Sequence, residues 1–261
     1  MNKRLINKNN IIQYLIRKRL SIILTLFVIV CITVFSFWSS VPNFSDYEAG
    51  SERKTAFFNY FSPLIEENNK AIASSRKQLI LWNQNRNNIG WWDARKLTDL
   101  ATQYRVKNFS IDDDATWKKL LKKVDVLPPS LVLAQAANES AWGTSRFAKL
   151  GNNYFGQWCF KHGCGLVPKQ RDSGKAHEVA AFYSPQESLE SYMHNLNSHS
   201  AYQSLRNIRA QLRRANQPLT GIALAAGLAS YSERGEKYIA ELREMIKFNK
   251  LSKYNKSISK M

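Results

Sequence analysis

An apolar segment bounded by prolines and a glycine constrains this 261-residue chain more than any other feature. Residues 128–143 read PPSLVLAQAANESAWG. Proline suits the first turn of a helix, because its ring fixes φ and it lacks the N–H that a first turn leaves unpaired. Gly143 provides the left-handed conformation that commonly ends a helix. Since Leu, Val and Ala fill the segment, the pattern predicts a helix that is buried on most of its surface.

Glu139 is the carboxylate of this segment, and it lies near the predicted C-terminal end of the helix. It follows Gln135 by four positions, so the two side chains share a face. A buried charge is costly unless the group is paired, hydrogen-bonded or neutral. One interpretation is a structural glutamate whose partner satisfies it. The other is a general acid that apolar surroundings keep protonated near neutral pH, with Trp142 as a flat surface for a sugar.

Two motifs extend the second interpretation. Residues 138–143 read NESAWG, and residues 152–156 read NNYFG. Together they resemble the signature of glycoside hydrolase family 73, the bacterial glucosaminidases, which are related to the lysozyme-like superfamily. Over roughly residues 46–250 the chain resembles the Bax-type membrane-bound branch found in Gram-negative bacteria. The resemblance implies hydrolysis of peptidoglycan at the β-1,4 bond after N-acetylglucosamine, with Glu139 as the proton donor.

The N-terminal part has the sequence pattern of a membrane anchor. Residues 1–19 are polar and basic, and residues 20–38 form an uncharged span that ends at a tryptophan. Such a span covers a hydrocarbon core of about 30 Å at about 1.5 Å per residue. The basic cluster at 17–19 predicts a cytoplasmic N terminus, so we expect a single-pass inner-membrane protein with its catalytic part in the periplasm. A cleaved signal peptide is the alternative, although its apolar core would be unusually long.

Downstream of this span, hydrophobic periodicity predicts a mostly helical chain. Strand-like runs near 163–167 and 177–183 predict a small β-hairpin, and the resemblance implies that this hairpin is the β lobe of a lysozyme-like domain. The full prediction is a linker at 39–50, a helical region at 51–125 that packs on or supports the catalytic part, the glucosaminidase domain at 126–250 and a basic, frayed tail at 251–261.

Two local expectations concern the helices. Pro63 interrupts an otherwise helical pattern and predicts a kink or a boundary there. A later helix, near 202–215, is expected to present a basic outer face made of Arg206, Arg209, Arg213 and Arg214.

A glycosidase with two catalytic carboxylates needs a second acid about 5–5.5 Å away for retention, or about 6.5–9.5 Å away for inversion. Family 73 enzymes carry this group on the β lobe, and Glu178 is the candidate here. The register also allows Gln170 or Asp172, and a structural role is the alternative for Glu178. A substrate-assisted route, in which the N-acetyl group of the sugar attacks the anomeric carbon, stays open.

Aromatic and amide side chains near the motifs are the candidates for positioning the substrate. Tyr231 matches a tyrosine that precedes the final helix in the family, which implies a catalytic or orienting role for its hydroxyl. Packing in the core is the alternative for each aromatic side chain. The expected substrate-binding residues are Trp142, Asn153, Tyr154, Phe155, Trp158 and Tyr238.

Two cysteines, Cys159 and Cys164, lie five positions apart. Outside the cytoplasm a disulfide that closes this loop is natural. A zinc site with His162 and His177 is the alternative, but the spacing is irregular for a zinc module, so the disulfide is favoured. We expect no metal or other cofactor.

The net charge of +18 indicates an anionic partner, either a cell-wall polymer or a membrane surface. No nucleic-acid motif accompanies the charge, and the basic residues are spread over several helices, so we expect no nucleic acid partner. Two other functions remain open: a lytic transglycosylase, which leaves an anhydro product, and a non-catalytic wall-binding module. The sequence does not indicate an oligomeric state.

Overall fold

The computed structural model describes residues 16–26, 41–168 and 177–258, and the chain divides into two units, Met1–Pro42 and Asn43–Met261. In the first unit, residues 16–26 are helical. No helix within the described ranges is both long enough and apolar enough to cross a membrane. The predicted span at 20–38 lies outside the described residues from position 27 onward.

The second unit begins with a long helix, α1, at Ser51–Gln84. Contrary to the predicted boundary, this helix continues through Pro63. Proline inside a helix costs about 3 kcal/mol, and the buried face of α1 offsets that cost. Phe57, Phe61 and Ile65 on this face are fully buried in the main core.

Helices account for most of the rest of this unit. After α1 they are α2 (Trp91–Gln103), α3 (Asp114–Lys123), α4 (Pro129–Glu139), α5 (Arg146–Gly151), α6 (Pro185–Ser198), α7 (Gln203–Arg214), α8 (Gly221–Ala225) and α9 (Glu236–Phe248). Short 3-10 segments lie at Phe44–Asp46, Arg86–Asn88, Ser200–Tyr202 and Leu251–Ile258.

The apolar segment of the sequence forms α4, which the structure places at the centre of the fold. Every residue from Pro129 to Ala137 is buried, and the helix packs against α1, α8 and α9. Beyond its C-terminal end, Ala141, Trp142 and Gly143 have positive φ angles of 49°, 59° and 78°. These left-handed residues end the helix, so that Glu139 stands in its last turn.

A three-stranded antiparallel sheet forms the β lobe. Its strands are β1 (Trp158–Cys159), β2 (Gly165–Leu166) and β3 (Glu178–Ala180), in the order β1-β3-β2. The expected hairpin corresponds to the pairing of β2 with β3. Strand β1 was not predicted, because two residues are too few to show the alternation that marks a strand.

The basic outer face expected on α7 is wrong for Arg206 and Arg209. Arg209 is fully buried and Arg206 is 3% exposed. Buried guanidinium groups need partners, and here both groups donate mainly to backbone carbonyls. Arg209 also lies 3.8 Å from the carboxylate of Asp125, which is itself buried.

The C-terminal segment is folded as far as the structure describes it. Leu251–Ile258 is a 3-10 helix whose first and last residues are buried. The side-chain oxygen of Asn255 accepts a hydrogen bond from the Ser130 amide at 3.0 Å. The expectation of a frayed tail is therefore wrong for residues 251–258, because this segment covers the start of α4.

Candidate active site

Glu139 lies half-buried at the C-terminal end of α4. Its Oε1 accepts a hydrogen bond from the Tyr238 hydroxyl at 2.7 Å and a long one from the Asn138 amide at 3.4 Å. Both donors are neutral. Among the described residues no lysine or arginine forms an ion pair with this carboxyl group, although Arg234 and Glu241 act on it at longer range, in opposite senses.

These surroundings raise the pKa of Glu139 above its usual value. Burial is the main cause, because it penalises the charged form. The hydrogen bonds from Tyr238 and Asn138 favour the charged form and cancel only part of the effect. A carboxyl group of this kind keeps its proton to higher pH than a free glutamate, as a general acid must.

A chain of hydrogen bonds connects Glu139 to side chains in the protein interior. The Tyr192 hydroxyl donates to Gln135 Oε1, Gln135 Nε2 donates to the Tyr238 hydroxyl at 3.0 Å, and Tyr238 donates to Glu139. The chain links α6, α4 and α9. In the sequence Gln135 marks only the helix face that Glu139 shares, and Tyr192 is not among the expected site residues. The shared face with Glu139 was the available signal for Gln135.

The loop at residues 152–156 brings its backbone against the carboxyl group. Gly156 has φ +62°, and a Cβ at this position would lie 3.2 Å from Glu139 Oε2. Tyr231 fixes the loop, since its hydroxyl donates to the Phe155 carbonyl at 2.6 Å. The Phe155 ring stacks on Tyr192 at 4.0 Å. Tyr231 therefore contacts the loop, whereas Tyr238 contacts the carboxyl group itself.

The structure places three of the expected substrate-binding aromatic residues in packing contacts. Tyr154 is 2% exposed, its ring 4.8 Å from Phe61, and Phe155 is fully buried. Trp142 is half-buried and its ring lies 5.4 Å from that of Phe58. The rings of Tyr154 and Trp142 pack on α1, whereas the Phe155 ring packs on Tyr192 of α6.

Asn153 is also buried, and it joins the loop to the β lobe. Its Nδ2 donates to the carbonyls of Gln157 and Ala180, both at 2.8 Å. Its Oδ1 accepts from the amides of Phe155 and Gln157. These four contacts occupy the side chain, so it positions the loop in this structure.

Trp158 on β1 is the expected substrate-binding aromatic residue that the structure leaves open to solvent. It is 57% exposed and stacks on His177 at 4.0 Å with an interplanar angle of 7°. A large, fixed indole surface of this kind suits stacking against the apolar face of a sugar.

Glu178 is buried within the β lobe, at 3% exposure. Its two carboxylate oxygens accept hydrogen bonds from the amides of Gly163 and Gly165, at 3.0 Å and 2.8 Å. Both amides flank Cys164, so the carboxylate braces the loop that follows β1. Gln170 and Asp172, the other candidates for the second group, lie outside the described residues.

Cys159 and Cys164 form a disulfide across the same loop. Their sulfur atoms and a Glu178 oxygen lie within 4.8 Å of one another. Zinc binds cysteine as the thiolate, and a disulfide provides none. In this oxidised state the cluster is a structural crosslink beside a carboxylate.

The chain is similar to known proteins. The sequence model of the glucosaminidase family, described as mannosyl-glycoprotein endo-beta-N-acetylglucosaminidase, matches residues 114–251. The Escherichia coli (strain K12) protein called Protein bax is 39% identical over 203 residues, which are 77% of this chain and 71% of that protein. The catalytic domain of the autolysin Auto from Listeria monocytogenes has a TM-score of 0.43 and 21% identity, covering 83% of this chain and 90% of that chain.

The family match includes the helix that carries Glu139, the loop beside it and the hydroxyl that binds it. It covers more than half of the 261 residues. The chain belongs to the glucosaminidase family and is a glycoside hydrolase.

Proposed function

We propose that this protein hydrolyses peptidoglycan at the β-1,4 bond after N-acetylglucosamine, with Glu139 as the general acid. The observation that carries the proposal is a half-buried carboxyl group whose hydrogen-bond partners, Tyr238 and Asn138, are both neutral. Such a group keeps its proton to higher pH than a free glutamate, and it can give that proton to a leaving oxygen. The glycan strand, a neutral polymer of sugars with anionic peptide branches, suits the basic surface of the protein.

In the proposed reaction Glu139 transfers its proton to the glycosidic oxygen while the bond from that oxygen to the anomeric carbon breaks. This cleavage passes through an oxocarbenium-like transition state. Water then adds its oxygen to the anomeric carbon and gives a proton to the Glu139 carboxylate, which restores the acid. The Tyr238 hydroxyl donates to the carboxylate that forms. Because this hydrogen bond favours the charged form, it stabilises the glutamate after proton transfer.

The surroundings of Glu178 support a positioning role for this residue. Two backbone amides and the interior of the β lobe occupy its carboxylate in the described structure. We therefore favour the substrate-assisted route, in which the N-acetyl group of the sugar takes the part of the nucleophile. Glu178→Gln is expected to lower the melting temperature and to leave kcat nearly unchanged. A large loss of kcat at an unchanged melting temperature would restore Glu178 as the second catalytic carboxylate.

We also propose that the catalytic part works in the periplasm and that residues 20–38 anchor it to the inner membrane. The proposal is supported by the uncharged span and its basic flank. The disulfide between Cys159 and Cys164 is typical of an oxidising compartment. Protease protection in spheroplasts tests it: residues 43–258 should be digested from the periplasmic side and residues 1–19 should be protected.

Glu139→Gln tests the proposed function, because it keeps the size of the side chain and an acceptor for Tyr238. Loss of a general acid lowers the rate by about 10²–10⁴-fold, so clearing of a peptidoglycan zymogram should disappear. Glu67→Gln, at an exposed position of α1, is the matched control and should clear normally. Clearing by the Glu139 variant at the wild-type rate would end the proposal.

Mass spectrometry of the wild-type products separates this reaction from its nearest alternative. A reducing N-acetylglucosamine end is expected. An anhydro-muramic end would identify a lytic transglycosylase, and intact glycan strands after incubation with folded wild-type protein would identify a wall-binding module.

A further inference from the structure

A concave, strongly basic pocket lies apart from the residues that surround Glu139. Its volume is about 510 Å³, and it lies between α3, the turn after α2 and the junction of α6 with α7. Seven of its lining residues are lysine or arginine, and within the described part of the chain no aspartate or glutamate lines it. None of its lining residues contacts Glu139. We call this surface the basic pocket.

Two cations at the floor of the basic pocket are held by backbone carbonyls. Lys123 Nζ donates to three carbonyl oxygens at 2.8–3.0 Å, from both sides of the pocket. Arg206 Nη1 donates to two carbonyl oxygens at 2.8 Å and is 3% exposed. Carbonyl groups fix these side chains but carry no full charge, so the positive charge of the floor is not neutralised.

The rim adds exposed cations, and of these Lys118 acts at longer range on the carboxylate of Asp114. Arg105, Lys107, Lys118 and Lys119 are exposed, and none of them forms an ion pair with any residue that the structure describes. Like charges gathered around a concavity repel one another, whereas a solvated surface lysine usually has room to turn away. The free state is therefore electrostatically unfavourable, and an anion in the pocket relieves the repulsion.

The pKa of Lys123, at the floor of the basic pocket, reflects this positive potential. Burial, together with the charges of Arg206 and Arg105, lowers the pKa of Lys123 to about 8. A neighbouring carboxylate would have the opposite effect on this pKa. No residue that the structure describes supplies a carboxylate that raises this pKa.

We propose that the basic pocket is a second binding site of this protein, one that takes the phosphate groups of an anionic ligand. Lysine binds phosphate as a point charge and arginine as a planar fork, and the pocket presents both types from a fixed floor and an exposed rim. Phosphate of this kind occurs in lipid headgroups and in soluble phosphate polymers. The site would hold the hydrolase to a phosphate-bearing surface while Glu139 acts on a separate strand.

Isothermal titration of the full chain in a non-ionic detergent tests the proposal with two probes. Tripolyphosphate represents a free phosphate polymer, and monomeric dihexanoyl phosphatidylglycerol represents a lipid headgroup, with dihexanoyl phosphatidylcholine as its neutral counterpart. Lys118→Ala/Lys119→Ala should weaken binding of the active probe at least tenfold. The matched control Lys77→Ala/Lys96→Ala removes the same charge from exposed helical positions outside the pocket and should change the affinity less than threefold.

The site is supported if either probe binds the wild type and is weakened by Lys118→Ala/Lys119→Ala but not by the control variant. The probe that binds identifies the source of the phosphate. Equal weakening by the two double variants would show that net charge alone attracts the probe, and this result or the absence of binding would overturn the proposal. The melting temperature of Lys118→Ala/Lys119→Ala should stay the same or rise, because repulsion at the rim is removed. Its peptidoglycan hydrolysis should match the wild type, which separates this site from the proposed function.

Discussion

Asp125 and Glu139 flank the central helix, and their surroundings differ in the partners that the fold supplies. Asp125 precedes α4 and is 3% exposed. Arg213 donates to it at 2.8 Å, and Arg209 and Arg76 lie 3.8 Å and 3.6 Å away. Glu139, at the other end of the helix, has a tyrosine and an asparagine as its donors.

The pKa values of the two groups move in opposite directions as a result. Burial by itself would raise the pKa of Asp125, but the charges of three arginines outweigh burial and lower it. At Glu139 burial prevails over neutral hydrogen bonds, and the pKa rises. Burial alone therefore does not distinguish a structural carboxylate from an acid catalyst. The charge of the partners does.

Asp125→Asn gives the largest expected effect on stability. It leaves three arginines near a neutral amide, and breaking a buried ion pair in this way costs about 3–5 kcal/mol. Urea unfolding at pH 7 measures the loss, and Asp114→Asn, which removes the exposed partner of Arg86, is the control with little expected change. Hydrolysis per folded molecule should persist at low temperature. Wild-type stability would show that the arginine cluster does not depend on Asp125.

Gly156→Ala should lower both stability and activity. A residue with a Cβ at φ +62° is strained by about 1–3 kcal/mol, and this Cβ would press on Glu139 Oε2. Gly163→Ala is the matched control, because Gly163 has φ +76° but open space around its Cβ position. Both variants should lose stability, but kcat should fall only in the Gly156 variant. Equal kcat values in the two would mean that the loop backbone does not hold the acid.

Tyr238→Phe should raise the pKa of Glu139 further, because the hydrogen bond that it removes favours the charged form. We expect the alkaline limb of the kcat–pH profile to move to higher pH. Loss of a hydrogen bond to a charged group costs about 1.5–3 kcal/mol, so the maximal rate should fall roughly tenfold or more. Tyr231→Phe, which removes a hydroxyl bound to the loop, should leave the limb in place.

Glu139→Gln should change stability least, and in the favourable direction. The folded-state pKa of Glu139 is raised, so its contribution to stability is present below the usual value of 4.5 and is lost as pH rises through the folded-state pKa. At pH 7 the variant is expected to gain about 1 kcal/mol or less. Asp125 behaves in the reverse sense, since its contribution is present above 3.8 and is lost as pH falls through its lowered pKa. Melting temperatures measured from pH 3 to pH 8 separate the contributions of Glu139 and Asp125 to stability.

Elements with strong local signals could be predicted from the sequence. Residues 184–187 read SPQE, the pattern of a capping box, which predicts the start of α6. In the structure the Ser184 side chain accepts from the Glu187 amide at 3.1 Å, and the Glu187 side chain accepts from the Tyr183 amide at 2.7 Å. Hydrophobic periodicity predicts helices near 115–124 and from 233 or 236 to 248, and the bounds of α3 and α9 lie within about three residues of these. Capping and apolar periodicity act over a few residues, so a local reading captures them.

The inward arginines of α7 could not be predicted in this way. A run of arginines on a helix normally marks a solvated face. Arg209 is fully buried because it contacts Asp125 and the backbone carbonyls before α4, which lie more than eighty residues earlier in the sequence. The hydrogen bonds from Tyr192 to Gln135 and from Gln135 to Tyr238 span 57 and 103 residues.

By itself the sequence determined a buried helix that ends in a carboxyl group, a glycine-closed aromatic loop and a pair of cysteines, because composition and spacing settle each of these locally. Only the tertiary structure decided that neutral hydroxyl and amide groups donate hydrogen bonds to Glu139, whereas arginines form ion pairs with Asp125. That choice depends on which distant helices pack beside each end of α4. Long-range packing therefore sets the charge around each carboxyl group, and with it the chemistry that the group can perform.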